Sequence, residues 1–124
     1  MIGGVQDVYL NVSDMERAVA FYRDRLGMTV LDTSPWWSSL DCGGVRIGLH
    51  GTGGEAVPRV PRDAHGAHTG ATLTLCSTDL EGDAKDLGDC GATLLGRADE
   101  AWGRMLVFED PDGNVLKLLQ PTGP

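Results

Sequence analysis

Two stretches of the chain alternate apolar and polar residues, and each is followed by residues whose apolar positions recur at helical spacing. The alternation predicts strands over 7–12 and 71–77. The helical spacing predicts helices over 14–26 and 79–90. After each helix come three short β-type runs separated by turn residues, over 28–33, 36–41 and 45–50 in the first half, and over 93–98, 103–109 and 115–120 in the second.

The two halves are copies of one another. LNVSDME at 10–16 resembles LCSTDLE at 75–81, and LGMTVL at 26–31 matches CGATLL at 90–95. The order β-α-β-β-β, occurring twice, predicts an α+β fold made of two similar modules. We expect one domain over 1–124, with a first module at 4–50, a Gly- and Pro-rich linker loop at 51–68 and a second module at 69–121.

Both predicted helices have start signals. Ser13 with Glu16, and Thr78 with Glu81, fit the capping box, in which a hydroxyl and a carboxylate bond the first free N–H groups of a helix. Gly27 is placed to end the first helix in a left-handed conformation.

Composition narrows the classes of partner. The chain has 124 residues and a formal net charge of −8, which disfavours nucleic acid and suits neutral or cationic small molecules. The chain contains neither a membrane-length apolar run nor a secretory leader pattern, so we expect a cytoplasmic protein without a membrane partner. Its three cysteines lack zinc-site spacing and are interpreted as reduced packing thiols; Cys76 as a nucleophile is the alternative.

The segments DVYLNVSDMERAVAFYRDRLGMTVL and WGRMLVFEDPDGNVLKLLQP resemble the vicinal oxygen chelate superfamily, which includes glyoxalases, extradiol dioxygenases and bleomycin-resistance proteins. The resemblance covers nearly the whole chain and is nearest to the metal-free, bleomycin-resistance type. It implies paired βαβββ modules whose curled mixed sheet surrounds a cavity, with the helices on the outer face, and a homodimer.

In the metal enzymes of that family, four positions facing the cavity carry the metal ligands. By register they correspond here to Asp7, Thr72, Gly48 and Lys117. A glycine has no ligating side chain and an ammonium repels a cation, so we expect neither a metal centre nor another cofactor. Asp7 and Lys117 are candidates for an ion pair in place of the metal, or for separate contacts with solvent or ligand.

Alternation along the strands suggests which other side chains face the cavity. His50 lies two residues after Gly48 and is either a cavity residue or a strand-end histidine that bonds locally. His65 and His68 are expected on the surface, unless the loop closes over a ligand. Trp36 and Trp37 are adjacent in a strand, so one of them should face the cavity and the other should not. The predicted ligand-binding residues are Asp7, Tyr9, Asn11, Trp36, Trp37, Arg46, His50, Thr74, Trp102 and Lys117.

The sequence therefore predicts a metal-independent protein of drug-resistance type that sequesters an aromatic or polycyclic antibiotic or natural product without breaking a bond. A cationic ligand would suit the acidic chain. The alternative is a metal-independent isomerase, cyclase or lyase in which Asp7, His50 or Lys117 serves as acid or base.

Overall fold

A computed structural model describes residues 1–123, which form two compact units, Met1–Val57 and a second that begins at Pro58. Each unit has one four-stranded sheet and one helix that packs on it, as the repeat predicts. The first unit contains β1 (Val8–Val12), α1 (Met15–Ala20), β2 (Thr29–Thr33), β3 (Trp37–Cys42) and β4 (Val45–Gly51). The second contains β5 (Arg62–Asp63), β6 (Gly66–Ala67), β7 (Leu73–Cys76), α2 (Leu80–Asp89), β8 (Leu94–Glu100), β9 (Gly103–Glu109) and β10 (Val115–Pro121).

The two large sheets have the same topology. Their strand orders are β1-β4-β3-β2 and β7-β10-β9-β8, and in each the first strand runs parallel to the last while the remaining pairs are antiparallel. The α+β class and the two βαβββ modules are thus confirmed. One face of each sheet and one side of its helix bury the apolar residues of that unit, which include Val12, Ala18, Tyr22, Leu40, Ile47 and Leu49 in the first and Leu75, Leu80, Leu87, Leu106, Phe108 and Leu116 in the second.

The residues that cap the helices differ from the prediction. Asp14 and Asp79 are the N-caps, and their carboxylates accept 3.1 Å hydrogen bonds from the backbone N–H groups of Arg17 and Gly82. The prediction of Ser13 and Thr78 was therefore wrong by one residue in each module. An aspartate caps as well as a serine, and here it also places negative charge at the positive end of the helix.

The first predicted helix is α-helical only in its first part. After Ala20 the chain widens into a π-helical turn, Phe21–Arg25, in which Leu26 N–H donates to the Phe21 carbonyl at 3.2 Å. Phe21 and Tyr22 are both buried in edge-to-face contact, with ring centroids 5.6 Å apart. Gly27 then adopts a φ of +74°, as predicted for a glycine that ends a helix.

The segment expected as a linker loop contains a small hairpin. β4 extends to Gly51, and β5 pairs with β6 through Arg62–Ala67 and Asp63–Gly66. We name residues 58–68 the strap, because they lie across the sheet of the second unit. No helix of residues 1–123 is long and apolar enough to cross a lipid bilayer.

Candidate functional site

The sheet face of the first unit that is turned away from α1 carries polar and aromatic side chains and is open to solvent. Strand register places these side chains in two rows across the sheet, because residues paired on neighbouring strands point to the same face. The rows are Tyr9, Gly48 and Ser39, followed by Asn11, His50 and Trp37. We name these six residues the aromatic face.

Three rings form a cluster on the aromatic face. The ring centroids of Tyr9 and Trp37 are 5.4 Å apart, those of Tyr9 and His50 are 5.9 Å apart, and those of Trp37 and His50 are 6.4 Å apart. The side chain of Tyr9 is 54% exposed, although a large aromatic side chain normally buries most of its surface. The cluster is therefore a ready surface for a flat molecule.

The orientation of Trp37 is fixed by its two neighbours in the other row. A β-carbon at residue 48 would lie 2.5 Å from Cη2 of Trp37 and 3.0 Å from Cβ of Tyr9, so only glycine admits the indole across β4. On the same edge of the ring system, Nε1 of Trp37 donates a 2.9 Å hydrogen bond to the Ser39 hydroxyl. The indole is thus preorganised, which lowers the entropy that a ligand loses on binding.

His50 is held by its neighbour on β1. Its Nδ1 lies 3.0 Å from Oδ1 of Asn11. Since an amide oxygen only accepts, Nδ1 is the protonated nitrogen of the neutral ring, and Nε2 is left with a lone pair. His50 therefore presents a hydrogen-bond acceptor beside the ring cluster.

A charged end adjoins the aromatic face. Arg46 on β4 lies opposite Asp41 on β3 in the strand register, two residues from the Gly48 row. Both residues line a cavity of about 410 Å³. The remaining lining comes from Val5, Gln6, Gly44 and Val45. Asp7 directly precedes β1 and is half-buried. This end of the sheet thus offers charges of both signs.

In the second unit, the equivalent sheet face is covered only in part, because Thr74 remains exposed. Thr74, Lys117 and Val107 form one row of this face, and Val107 is fully buried. The strap lies on the row: a β-carbon at Gly66 would lie 2.8 Å from Cε of Lys117, and one at Gly96 would lie 2.7 Å from Cα of Ala64. Thr74 and Lys117 are thus on the predicted kind of face, but the chain itself occupies the space above Lys117.

The strap is fastened by an acidic residue of β9. Glu109, whose side chain is 9% exposed, accepts two parallel hydrogen bonds from Arg59 at 3.3 and 3.1 Å and lies 3.3 Å from Nη1 of Arg62. Within the hairpin, Asp63 pairs with His68 at 2.8 Å and also accepts from the backbone N–H of His65.

The other two tryptophans do not belong to the aromatic face. Trp36 is 64% exposed and lines a cavity of about 690 Å³ beside α1, on the opposite side of the first sheet, together with Met15, Val19 and Pro35. Trp102 is 55% exposed in the turn between β8 and β9. Trp37 is therefore the tryptophan that joins Tyr9, Asn11 and His50 on one face, as Arg46 does at its edge.

Two of the four positions that the family resemblance assigns to metal ligands carry no side chain that could bind a metal ion. The space above Gly48 is filled by the Trp37 indole, and Lys117 carries an ammonium group under the strap. Within residues 1–123, no three His, Cys, Asp or Glu side chains come together as a potential metal site. Of the other two positions, Asp7 carries a carboxylate and Thr72 a hydroxyl.

Sequence reasoning missed the residues that shape both faces. Gly48 was predicted to face the cavity at a former ligand position, but not to accommodate an indole, and Ser39, Glu109, Arg59 and Arg62 were not predicted as site residues. A glycine in β4, between a strand that carries Tyr9 and a strand that carries Trp37, could have indicated that an aromatic ring lies across residue 48. The Arg–Glu contacts span about fifty residues of sequence and had no local signal.

Comparison with known proteins identifies a family model and a relative that each match most of the chain. Residues 4–118 match the family model of the Glyoxalase/Bleomycin resistance protein/Dioxygenase superfamily. The chain is 27% identical over 119 residues to the glutathione transferase FosA of Serratia marcescens, covering 95% of this chain and 81% of that protein.

Two solved structures have the same fold. The fosfomycin resistance protein FosX of Listeria monocytogenes superposes with a TM-score of 0.77 at 17% identity, covering 98% of this chain and 96% of FosX. TnmS3, an antibiotic binding protein from Streptomyces sp. CB03234, superposes with a TM-score of 0.67 at 28% identity, and 98% of each chain is covered.

Proposed function

The chain belongs to the Glyoxalase/Bleomycin resistance protein/Dioxygenase superfamily, and from this premise we propose that it is an antibiotic-resistance protein that sequesters a flat aromatic compound on the aromatic face. The observation that carries the proposal is the exposed cluster of Tyr9, Trp37 and His50, with the indole held across Gly48.

Ring stacking supplies the apolar part of recognition. Each aromatic pair contributes about 0.5–1.5 kcal/mol beyond the burial of area. A ligand that covers the indole and the Tyr9 ring would form two such contacts on a surface that is already in place. We therefore expect a ligand with at least one extended ring system.

The polar groups around the cluster set the orientation of the ligand. Nε2 of His50 accepts from an N–H or O–H of the ligand, and Arg46 and Asp41 bind charged or polar substituents at the edge of the face. The chain has 18 acidic and 10 basic residues, and this excess of negative charge favours approach of a cationic compound.

The relatives support this class of function. TnmS3 is an antibiotic binding protein and is 28% identical to this chain, and fosfomycin resistance proteins share its fold. We infer binding of an aromatic antibiotic, by analogy with the antibiotic binding protein TnmS3, rather than action on fosfomycin. An aromatic surface binds a ring system better than it binds a small phosphonate.

We propose that binding does not use a metal. The reason is the chemistry of the four positions: the Trp37 indole stands where a side chain at residue 48 would reach the face, and Lys117 would repel a cation. Of the ligand-facing groups in the first unit, only Asp7 and Asp41 carry carboxylates, and they serve better as partners of a cationic ligand.

One observation favours a second candidate function. His50 is exposed and its Nδ1 is bonded to Asn11, which leaves Nε2 as a base on an open surface. A metal-independent isomerase, cyclase or lyase would use this base, with Asp7 of the same unit as a further acid or base group.

One titration followed by mass spectrometry distinguishes the two candidates. Tryptophan fluorescence of the purified protein is titrated with bleomycin and with doxorubicin, both cationic and aromatic, and with fosfomycin as a compound without a ring system. Saturable quenching by an aromatic antibiotic whose mass stays unchanged is the result expected for sequestration. A changed mass supports the enzyme, and saturable binding of fosfomycin alone contradicts the proposed ligand class.

The resemblance also leads us to propose a homodimer. Light scattering coupled to size-exclusion chromatography would give twice the chain mass of 13.2 kDa. A mass of one chain at micromolar concentration would contradict this part of the proposal.

A further inference from the structure

The two arginines that fasten the strap to Glu109 are held very differently. Arg62 is 11% exposed and also donates to the carbonyls of Gly113 at 2.5 Å and Val60 at 3.0 Å. Arg59 is 60% exposed, and both of its hydrogen bonds go to Glu109. Arg62 is therefore held by the backbone as well as by Glu109, whereas Arg59 contacts the Glu109 carboxylate from the solvent side.

The space that the Arg59 guanidinium occupies is provided by a glycine. A β-carbon at Gly113 would lie 2.6 Å from Nη1 of Arg59, so a side chain at this position would exclude the planar group. Gly113 has a φ of +82° and is itself buried. The Arg59 guanidinium thus lies against the Glu109 carboxylate and above Gly113, and we name the place that these two residues form the cradle.

The carboxylate in this cradle favours a second cation beside Arg62, which lies 3.3 Å from Oε2 of Glu109. Glu109 is 9% exposed, and a carboxylate removed from water is strongly disfavoured unless it is paired. Two parallel N–H donors match a carboxylate in the way that guanidinium and amidinium groups do, and a primary ammonium does not provide this geometry.

We propose that Glu109 and the space above Gly113 form a binding site for a planar organic cation of the guanidinium or amidinium class, which Arg59 fills in the free chain. The site lies in the second unit and is independent of the aromatic face, so it goes beyond the function proposed above. A ligand that carries such a group would displace Arg59 while Arg62 keeps its own contacts.

The test uses benzamidine, and benzamide as its neutral isostere, with the full chain and with Arg59→Ala. Calorimetric titration should show one benzamidine per chain in Arg59→Ala, bound at least about ten-fold more tightly than in the unaltered protein, because the internal competitor is gone. Benzamide should not bind. Equal affinity of both proteins for benzamidine, or equal binding of both compounds, would overturn the proposal.

Further variants separate the site from general effects. Arg59→Ala with Glu109→Gln should lose benzamidine binding, whereas Arg97→Ala, which removes another paired surface arginine of the same unit, should behave like the unaltered protein. If Arg59→Ala does not fold, Arg59→Lys gives the same comparison: the ammonium keeps the charge but not the parallel donors, so benzamidine should still bind more tightly than in the unaltered protein. No gain in Arg59→Lys would then count against the site.

Discussion

The indole of Trp37 lies directly across Gly48, the residue that faces it from the neighbouring strand. A β-carbon at residue 48 would come within 2.5 Å of Cη2 of that indole, which is closer than unbonded carbons approach. The two residues therefore act as a unit: the absent side chain of one determines the position of the other.

The first prediction follows from this contact. Gly48→Ala should push the Trp37 ring off β4, destabilise the protein by about 1–3 kcal/mol through overpacking, and weaken binding of an aromatic antibiotic. Denaturant unfolding and calorimetric titration measure the two effects. Gly88→Ala is the matched control, because a β-carbon there meets only Cδ1 of Leu94 at 3.9 Å and should stabilise α2 by about 0.5–1 kcal/mol. Unchanged affinity in Gly48→Ala would show that the indole position is irrelevant to binding.

A second prediction concerns the buried carboxylate under the strap. Glu109→Gln should lower the free energy of unfolding by about 1–3 kcal/mol, because it removes the charge that two guanidinium groups share in a nearly buried place. Glu81→Gln is the comparison, since Glu81 also pairs with two arginines, Arg97 and Arg104, but on the solvent side. Chemical denaturation should give a clearly smaller loss for Glu81→Gln. Similar losses would mean that burial does not determine the strength of the Glu109 contact.

The third prediction tests how the strap is seated. In Gly96→Ala a β-carbon would lie 2.7 Å from Cα of Ala64, and backbone cannot yield as a flexible side chain can. The strap should lift from the second sheet, and hydrogen exchange over residues 58–68 should become at least about ten-fold faster. The Gly88→Ala protein should exchange there at the rate of the unaltered chain. Unchanged protection in Gly96→Ala would indicate that the strap does not depend on close approach at this point.

The fourth prediction concerns the titration of the hairpin in the strap. The pKa of Asp63 is lowered from its ordinary value of 3.8, first by the hydrogen bond from the His65 backbone N–H and then by the side chain of His68. A carboxyl with a lowered folded pKa stabilises the fold at pH values above 3.8, and this contribution is lost as the pH falls through the folded pKa. Carbon NMR should place the midpoint of Asp63 below 3.8, and His68→Ala should raise it only in part because the backbone donor remains. A midpoint at or above 3.8 in the unaltered protein would contradict these contacts.

The fold could be predicted from the sequence because its signals are local and repeated. Alternation and helical spacing predicted both β-α-β-β-β modules. The strands of these modules begin and end within two residues of the predicted bounds. Gly27 ends the first helix as its position indicates, since a left-handed residue is needed there. The N-caps moved by one residue because Ser13–Asp14 and Thr78–Asp79 each offer two good caps in succession.

The candidate site could be predicted only in part, because its shape depends on partners distant in sequence. Tyr9, Asn11 and His50 follow from strand alternation, and they meet on one face. To choose between Trp36 and Trp37 one needs the register of β3 on β4. The position of the strap depends on contacts between Arg59 and Glu109, which no local sequence pattern predicts. The Gly- and Pro-rich composition of 51–68 indicated a loop but not the small hairpin within it.

The central claim is that an aromatic antibiotic binds on the face that carries Trp37. The most direct measurement is calorimetric titration of bleomycin or doxorubicin, whichever binds the unaltered protein, into Trp37→Leu and Trp36→Leu, with circular dichroism to verify that both variants fold. These neighbours in sequence lie on opposite sides of one sheet, so each is the control of the other. The account predicts an affinity at least about ten-fold weaker in Trp37→Leu and unchanged in Trp36→Leu. Full affinity in Trp37→Leu with a loss in Trp36→Leu would place the ligand in the cavity beside α1 and contradict the claim.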